Sequence, residues 1–364
     1  MIGLGVRTNK LRAESGGGGA VAPVNVTPPS IPTTLVVGTS FAIDAGTWSN
    51  SPTNYNYKLY RGATLIDEQN SASTTVNYTP VQDDAGNTSN IKCVVTATNS
   101  AGSASADSNT VSQVLTVRTD SYLTLNSISD ATLRGAINNV DIGIINNSLT
   151  NLRGLYFFNA GTADKAKYNF LDQRDLDAAF RITFVNTVSG DFTSNGWLPN
   201  GVSSYGNTHF TPSTDASVNG MGHGVYSRTN STTGTRVYGC VFGGATIVQH
   251  NLSGGNFVNG NVSNNIINYT ASPTTRFLYN RRNSSTDMEV YRDGTSLGTN
   301  TNTCAALPSS KFYFGARNGG SGTPDFYDNH QVTIGVLDVG LTNAQALTLR
   351  TIVDNYNLEC GINV

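Results

Sequence analysis

A period of two constrains this chain more than any other feature. In YNYKLYRG (55–62) and IKCVVTATNSAG (91–102) an apolar residue recurs at every second position over most of the run. That is the pattern of strands with one face in a core and the other in water. LVVGTSFAIDAGTW, TTVNYTP and SNTVSQVLTV repeat it, the runs being separated by Gly, Asn, Asp and Pro, residues that turn the chain. The same signals return from Asp177 to about Val339 in AAFRITFVNT, TRVYGCVFGGATIVQH, VSNNIINYT, TRFLYNRR, MEVYRDGTSLG, KFYFGARN and QVTIGVLDVG. Composition agrees: 38 glycines and only 13% charged residues, with Asn, Ser and Thr supplying the polarity, belong to short strands joined by many turns.

Between the β-rich halves the pattern changes. SISDATLRGAINNVDIGIINN spaces Ile128, Leu133, Ile137 and Val140 at helical intervals, with Asp130 after Ser129 placed to cap a helix start. A second short helix is expected at about 147–154. Asp293-Gly294 within EVYRDGTSLG predicts a hairpin. Thr342 followed by Gln345 reads as a capping box opening a last helix. Its inner face would carry Leu349, Ile352, Val353, Tyr356 and Cys360, and Gly361 sits where a helix stops.

Two stretches resemble known families. GTWSN, YKLYRG and YTPVQDDAGNTSNIKCVVTATNSAGSASADSNTV are similar to the immunoglobulin-like (Ig-like) domain of bacterial surface proteins and phage virion proteins. Leu59 stands where that family usually carries Trp, and Cys93 has no partner on the opposite strand. The core is therefore expected to be filled by Leu59, Ile43, Tyr57 and Val95 rather than pinned by a disulfide. AKYNFLDQRDLDAAFRITF, GWLPNGVSSYGNTHFTPST, YSRTNS and SKFYFGARNGGSGTPDFYDNHQVTIGVLDVGLTNAQALTLRTIVDNYN resemble the concanavalin A-like (laminin-G-like) jelly-roll domain of phage structural proteins. The fold class implied is mainly β: an Ig-like β-sandwich, then a concanavalin-like jelly roll with short flanking helices and a C-terminal helix. The domains would be an N-terminal anchor and Gly-rich linker at 1–23, the Ig-like domain at 24–117, a helical connector at 118–160 and the jelly roll at 161–364.

The combined resemblance implies a virion protein of a tailed phage, attached to capsid or tail as a fibre or decoration and present in many copies. Arg7, Lys10 and Arg12 lie in the basic head before four consecutive glycines, a flexible leash, and would anchor the chain to other virion proteins. That head has its apolar residues first and its charges after, the reverse of a secretory signal. Release by lysis within a particle assembled in the host cytoplasm is expected, and secretion by a signal-less route would look the same. No run approaches a membrane span, and a net charge of -2 disfavours nucleic acid, which requires a basic face. Cys93, Cys240, Cys304 and Cys360 show no CxxC spacing and read as small apolar residues, with one bridge left open.

Reactive residue types are present, but not in catalytic patterns. Ser204, His209 and Asp215 supply the letters of a hydrolase triad, yet GVSSYG is one residue too long for a nucleophile elbow. Glycoside hydrolysis needs two facing carboxylates. Of the four Glu, only Glu289 falls in a jelly-roll strand, since Glu14 and Glu68 precede that domain and Glu359 is in the last helix. Asp172, Asp175 and Asp177 read as surface partners of Arg174 or a helix start. The expectation is a chain that is not an enzyme, with a depolymerase-like glycan-degrading enzyme or a bacterial surface adhesin as alternatives. No cofactor is expected; calcium is left open, with Asp191, Asp325 and Asp328 as candidate ligands. The four His have no metal-binding spacing. Host polysaccharide is the partner the loops suggest. Trp197, Tyr205, Phe326 and Tyr327 supply faces on which sugars stack, and Asn207, Asp325 and Asn329 supply hydroxyl partners. The more usual role of such aromatics is to cover the core at the end of a sandwich.

Overall fold

The computed structural model describes residues 19–229, 237–242, 245–250, 255–261, 266–269, 277–320 and 322–362. The proposed anchor residues Arg7, Lys10 and Arg12 lie outside them. The chain is mainly β and divides into two compact units: Met1–Asp84 with Thr88–Val114, and Ala85–Asn87 with Leu115–Val364. An Ig-like sandwich is followed by a jelly-roll sandwich with flanking helices and a C-terminal helix. Among the described residues no helix is long and apolar enough to cross a membrane.

In the first unit, Asn54–Arg61 is central to an antiparallel sheet ordered Thr64–Ser71, Asn54–Arg61, Ile91–Asn99, Gly102–Asp107. The period-two alternation does the folding. Tyr55, Tyr57 and Leu59 point inward with Ile91, Cys93, Val95 and Ala97, against Phe41 and Ile43 of the strand paired with Thr75–Tyr78. The register sets Leu59 opposite Cys93 and Tyr57 opposite Val95, so Leu59 occupies core space beside a thiol that has no sulfur partner. Burial pushes that thiol up to about 12, which makes it an inert filler. Below the core, Asp84 is buried. Its Oδ2 accepts from Tyr78 Oη at 2.6 Å and Val81 N at 3.0 Å, and its Oδ1 accepts from Arg61 Nη1 at 2.9 Å. One carboxylate thus ties a strand end, a turn and a neighbouring strand.

The second unit packs two layers. One sheet runs Phe192–Thr193, Gly196–Trp197, Val332–Asp338, Met221–Ser227, Phe277–Ser284, Asp287–Arg292, Thr295–Asn300, and Leu152–Phe157 also pairs with Val332–Asp338. The other layer contains Thr183–Val185, Tyr205–Asn207 and Tyr313–Phe314, and the ladder Ile266–Tyr269, Gly255–Asn261, Ala245–His250, Val237–Phe242, Arg317–Asn318, Pro324–Asp325. Between them lies a ring-rich core of Tyr156, Phe158, Phe192, Trp197, Phe312 and Phe314. Strands Met221–Ser227 and Val332–Asp338 are buried at every position, as expected of strands covered on both faces. The C-terminal helix contributes to that cover, with Thr333 Oγ1 donating to Asn357 Oδ1 at 2.7 Å.

Gly222 stands opposite Asp338 in this sheet, and a Cβ there would fall 2.0 Å from Asp338 Oδ2. The space belongs to the buried carboxyl. Its Oδ2 accepts from Tyr279 Oη at 2.7 Å and its Oδ1 from Gly340 N at 2.9 Å and Leu341 N at 3.2 Å.

The helices follow their caps. Asp130 Oδ1 accepts from Leu133 N at 2.7 Å and opens Ala131–Asn146. Thr342 and Gln345 form the reciprocal box that opens Asn343–Glu359, and Gly361 adopts φ 67° just beyond its end. Leu349, Ile352, Val353 and Tyr356 are buried on that helix, whereas Cys360 is only half-buried, so it is not the core residue expected. All four cysteines are free. The helix expected at 147–154 is absent: residues from Leu152 form the buried strand Leu152–Phe157. A short apolar run reads equally as buried strand or helix, and pairing with Val332–Asp338 decides it. The connector's other helix is instead Val117–Leu125, capped by Thr116, directly after the short strand Val114–Leu115 that closes SNTVSQVLTV. The Asp293-Gly294 hairpin forms, with both residues at positive φ.

Candidate functional site

Alternation also builds a groove that gathers sequence candidates. In KFYF, Phe312 and Phe314 point into the ring-rich core, which leaves Lys311 and Tyr313 on the other face. Tyr313–Phe314 pairs with Tyr205–Asn207, bringing Asn207 beside Tyr313. Together with Thr211, Ser309, Ser310, Asn318 and Gly322 they line a groove of about 510 Å³, within the usual size range of ligand pockets.

Its floor is aromatic. Tyr313 stacks on Tyr205 with ring centroids 4.8 Å apart and planes at 27°. Burial, then the nearby Tyr205, pushes the Tyr313 hydroxyl up to about 12, so it stays protonated and donates to Gly322 O at 3.3 Å. Asn207 Oδ1 accepts from His209 N at 2.9 Å, which fixes the side chain at the groove. Asn318 holds the far wall by donating to Lys311 O at 3.0 Å.

Next to Lys311, His209 adopts φ 59°. Its Nδ1 lies 3.2 Å from both Lys311 Nζ and Asp177 Oδ2, and its Nε2 is 2.8 Å from Thr183 Oγ1. Burial pushes this imidazole below its usual value; Asp177 opposes the shift, and Lys311 and Arg181 reinforce it. Asp177 is itself bound by Arg181 Nε at 3.0 Å. Asp172, Asp175 and Asp177 do act as surface partners. Arg174 pairs with Asp172, while Lys167 and Arg181 meet at Asp175.

The structure sorts the sequence candidates. Asn207 lines the groove and Tyr205 supports its floor. Trp197 is a correction: it is fully buried among Phe158, Phe184 and Phe192, with Gly315 leaving room for its ring, and presents no face to a sugar. Asp325 and Phe326 are engaged by Arg317, although the Phe326 ring stays exposed. Arg317 bonds both oxygens of Asp325, at 2.8 and 2.5 Å, and its guanidinium lies 4.2 Å from the Phe326 ring centre. Half-buried Tyr327 and exposed Asn329 are not among the lining residues.

The three carboxylates considered for calcium are not brought together. Asp191 Oδ2 accepts from Val188 N at 2.8 Å, Asp325 faces Arg317, and buried Asp328 holds the His330 ring. Among the described residues no group of three His, Cys, Asp or Glu is placed to hold a metal ion. Ser204, His209 and Asp215 do not form a linked set. Ser204 Oγ accepts from Asn200 N at 2.6 Å, and Asp215 Oδ2 accepts from Thr211 N at 2.6 Å. Sequence reasoning missed Thr211, Ser309, Ser310, Lys311, Tyr313, Asn318 and Gly322; the alternation in KFYF was the one signal pointing to any of them.

No protein-family model matches the chain, and no curated protein matches it in sequence. Solved structures with similar folds include domain 4 of an extracellular arabinanase from Geobacillus stearothermophilus in complex with arabinotriose. That likeness has 15% identity over 55% of this chain and 98% of that one, at a TM-score of 0.31. Trypanosoma rangeli sialidase in complex with sialic acid matches at 13% identity over 92% of this chain and 54% of that one, TM-score 0.39. Botulinum neurotoxin type C, whose cell entry depends on two ganglioside molecules, matches at 14% identity over 47% and 44%, TM-score 0.33. The chain therefore spans about half the length of the sialidase and toxin chains. These likenesses are too distant to carry an argument about activity. They do correct one expectation: with sialidases and an arabinanase domain among the similar structures, the assignment as a non-enzyme has no support and is withdrawn.

Proposed function

We propose that the second unit binds carbohydrate in the Asn207–Tyr313 groove, and that the chain displays this site on a phage particle for attachment to host-surface glycan. The observation that carries the reading is the groove itself: a stacked Tyr205–Tyr313 floor beneath Asn207, Thr211 and Ser309. Sugars have apolar faces that rest on rings and hydroxyls that bond to small polar side chains. Here the chain supplies both in one place.

In this reading residues 24–117 act as a spacer, 118–160 as a connector and 161–364 as the binding module. The basic head at Arg7, Lys10 and Arg12 hooks the chain to other virion proteins. Many copies on one particle raise the effective concentration, so each groove need bind only weakly. The particle setting rests on the two sequence resemblances alone.

Glycan arrays probed with the protein in multivalent form test the binding. Tyr205→Ala and Asn207→Ala should each lower the signal at least about tenfold, equivalent to about 1.4 kcal/mol. An array silent for the wild-type protein, or variants that bind as well as it does, would refute the reading. Assaying the bound glycans for new reducing ends tests turnover in the same experiment. Deleting residues 1–15 should remove the protein from particles while both sandwiches still fold; normal incorporation contradicts the anchor.

A further inference from the structure

The groove has a sign as well as a shape. Among the described residues that line it, Lys311 is the only charged one. Most cations of known position in the chain face a carboxylate: Lys167 meets Asp175, Arg181 meets Asp175 and Asp177, Arg317 meets Asp325, and Arg118 meets Asp141. Lys311 differs. Among the described residues its ammonium meets the ring nitrogen of His209 at 3.2 Å, which uses at most one of three donors.

Asp177, whose charge Lys311 feels, is bonded through Oδ1 to Arg181. His209 is pushed toward its neutral form and does not add a competing full charge. An exposed ammonium thus stands at the edge of an aromatic, hydroxyl-lined groove with two donors to spare. Its usual counterpart is an anionic oxygen.

We propose that the groove selects acidic glycans, with the ammonium of Lys311 pairing with a carboxylate or sulfate carried by the sugar. This rests on the glycan-binding reading above and narrows it to one class of ligand. The chain as a whole carries a net charge of -2, so it has no general attraction for polyanions. A preference for an acidic polymer must arise locally.

The experiment uses the full chain, immobilised in multivalent form, against four polymers: polygalacturonate, the same polymer after carboxyl reduction, dextran sulfate and neutral dextran. The expected result is tighter binding, by about tenfold or more, of at least one acidic polymer over its neutral counterpart. That preference should disappear in Lys311→Gln and return in Lys311→Arg. Because Lys311 is exposed, both variants should unfold as the wild type does, which a melting curve checks. Which acidic polymer is preferred distinguishes a carboxylate from a sulfate as the recognised group. Equal binding of acidic and neutral polymers, or a preference that survives Lys311→Gln, overturns the inference. If Tyr205→Ala abolishes that binding, the groove still holds sugar and only the charge selection fails. If the wild-type protein binds none of the four polymers, the inference fails; silence on the glycan arrays as well removes the wider reading with it.

Discussion

Asp338→Asn should make the second unit more stable at neutral pH, although it alters a carboxyl that accepts three hydrogen bonds. Burial is the main cause that raises Asp338 from 3.8 to about 6, with the bonds from Tyr279, Gly340 and Leu341 and the charge of Arg281 pulling the other way. The folded state therefore holds a proton that the unfolded chain has released between about pH 4 and 6. Stability from this group is fully present below about pH 4 and is lost as the pH rises through about 6. A shift of about two units at about 1.4 kcal/mol each gives ~3 kcal/mol. Asparagine is neutral throughout. The variant should match the wild type near pH 4 and gain on it up to about 3 kcal/mol by pH 7.5, less about 1 kcal/mol for any bond it remakes poorly. His223, on the neighbouring strand, is pushed down to about 3 by burial. Its contribution has the opposite slope over the same window, so the wild-type profile alone would hide the effect. It is common to both proteins and cancels in their difference. Denaturant titrations at several pH values, followed by the fluorescence of buried Trp197 in a Trp48→Phe background, measure that difference. A difference that stays flat with pH, or a wild type that gains on the variant as pH rises, would refute the argument that burial outweighs the hydrogen bonds.

Three further substitutions follow from the packing. Gly222→Ala places a methyl 2.0 Å from Asp338 Oδ2 and 2.6 Å from Tyr279 Oη; the strands must separate, and a loss of about 3 kcal/mol or a failure to fold is expected in the same titrations. In the first unit, Asp84→Ala leaves the Arg61 cation and the Tyr78 hydroxyl without their shared partner and should cost about 3–5 kcal/mol, against about 1 kcal/mol for Tyr78→Phe; thermal unfolding of the pair gives the ranking. Thr342→Ala removes one half of the capping box and should lower stability by about 1 kcal/mol, visible as a shift in the denaturation midpoint of the second unit.

What the sequence makes legible depends on how long each pattern runs. Tyr55, Tyr57 and Leu59 alternate over a strand of eight residues, and Ile91, Cys93, Val95 and Ala97 over one of nine. Their inward face could be read without a structure. The Asp293-Gly294 turn and the Thr342–Gln345 box are local chemistry and equally readable. Trp197 was not readable, because its strand has only two residues and so short a segment has no periodicity to say which face is inside. Leu152–Phe157 failed for the opposite reason: buried throughout apart from Arg153, it shows no alternation to distinguish it from a helix. The groove was half legible. Tyr205 and Asn207 stood out by residue type, but Lys311 and Tyr313 join them only through the pairing of two strands distant in sequence. That pairing is a property of the fold, not of either segment.

The unbridged sulfurs have a consequence for how such a chain can be made. Each sandwich closes over its cysteines by packing alone, and Cys93, Cys240 and Cys304 lie buried as thiols. No covalent staple has to be oxidised before either module reaches its final form, and none is lost when the surroundings turn reducing. Maturation is therefore decoupled from redox chemistry. The modules should fold as readily with dithiothreitol present as without it, and exposure to air should add no further stability.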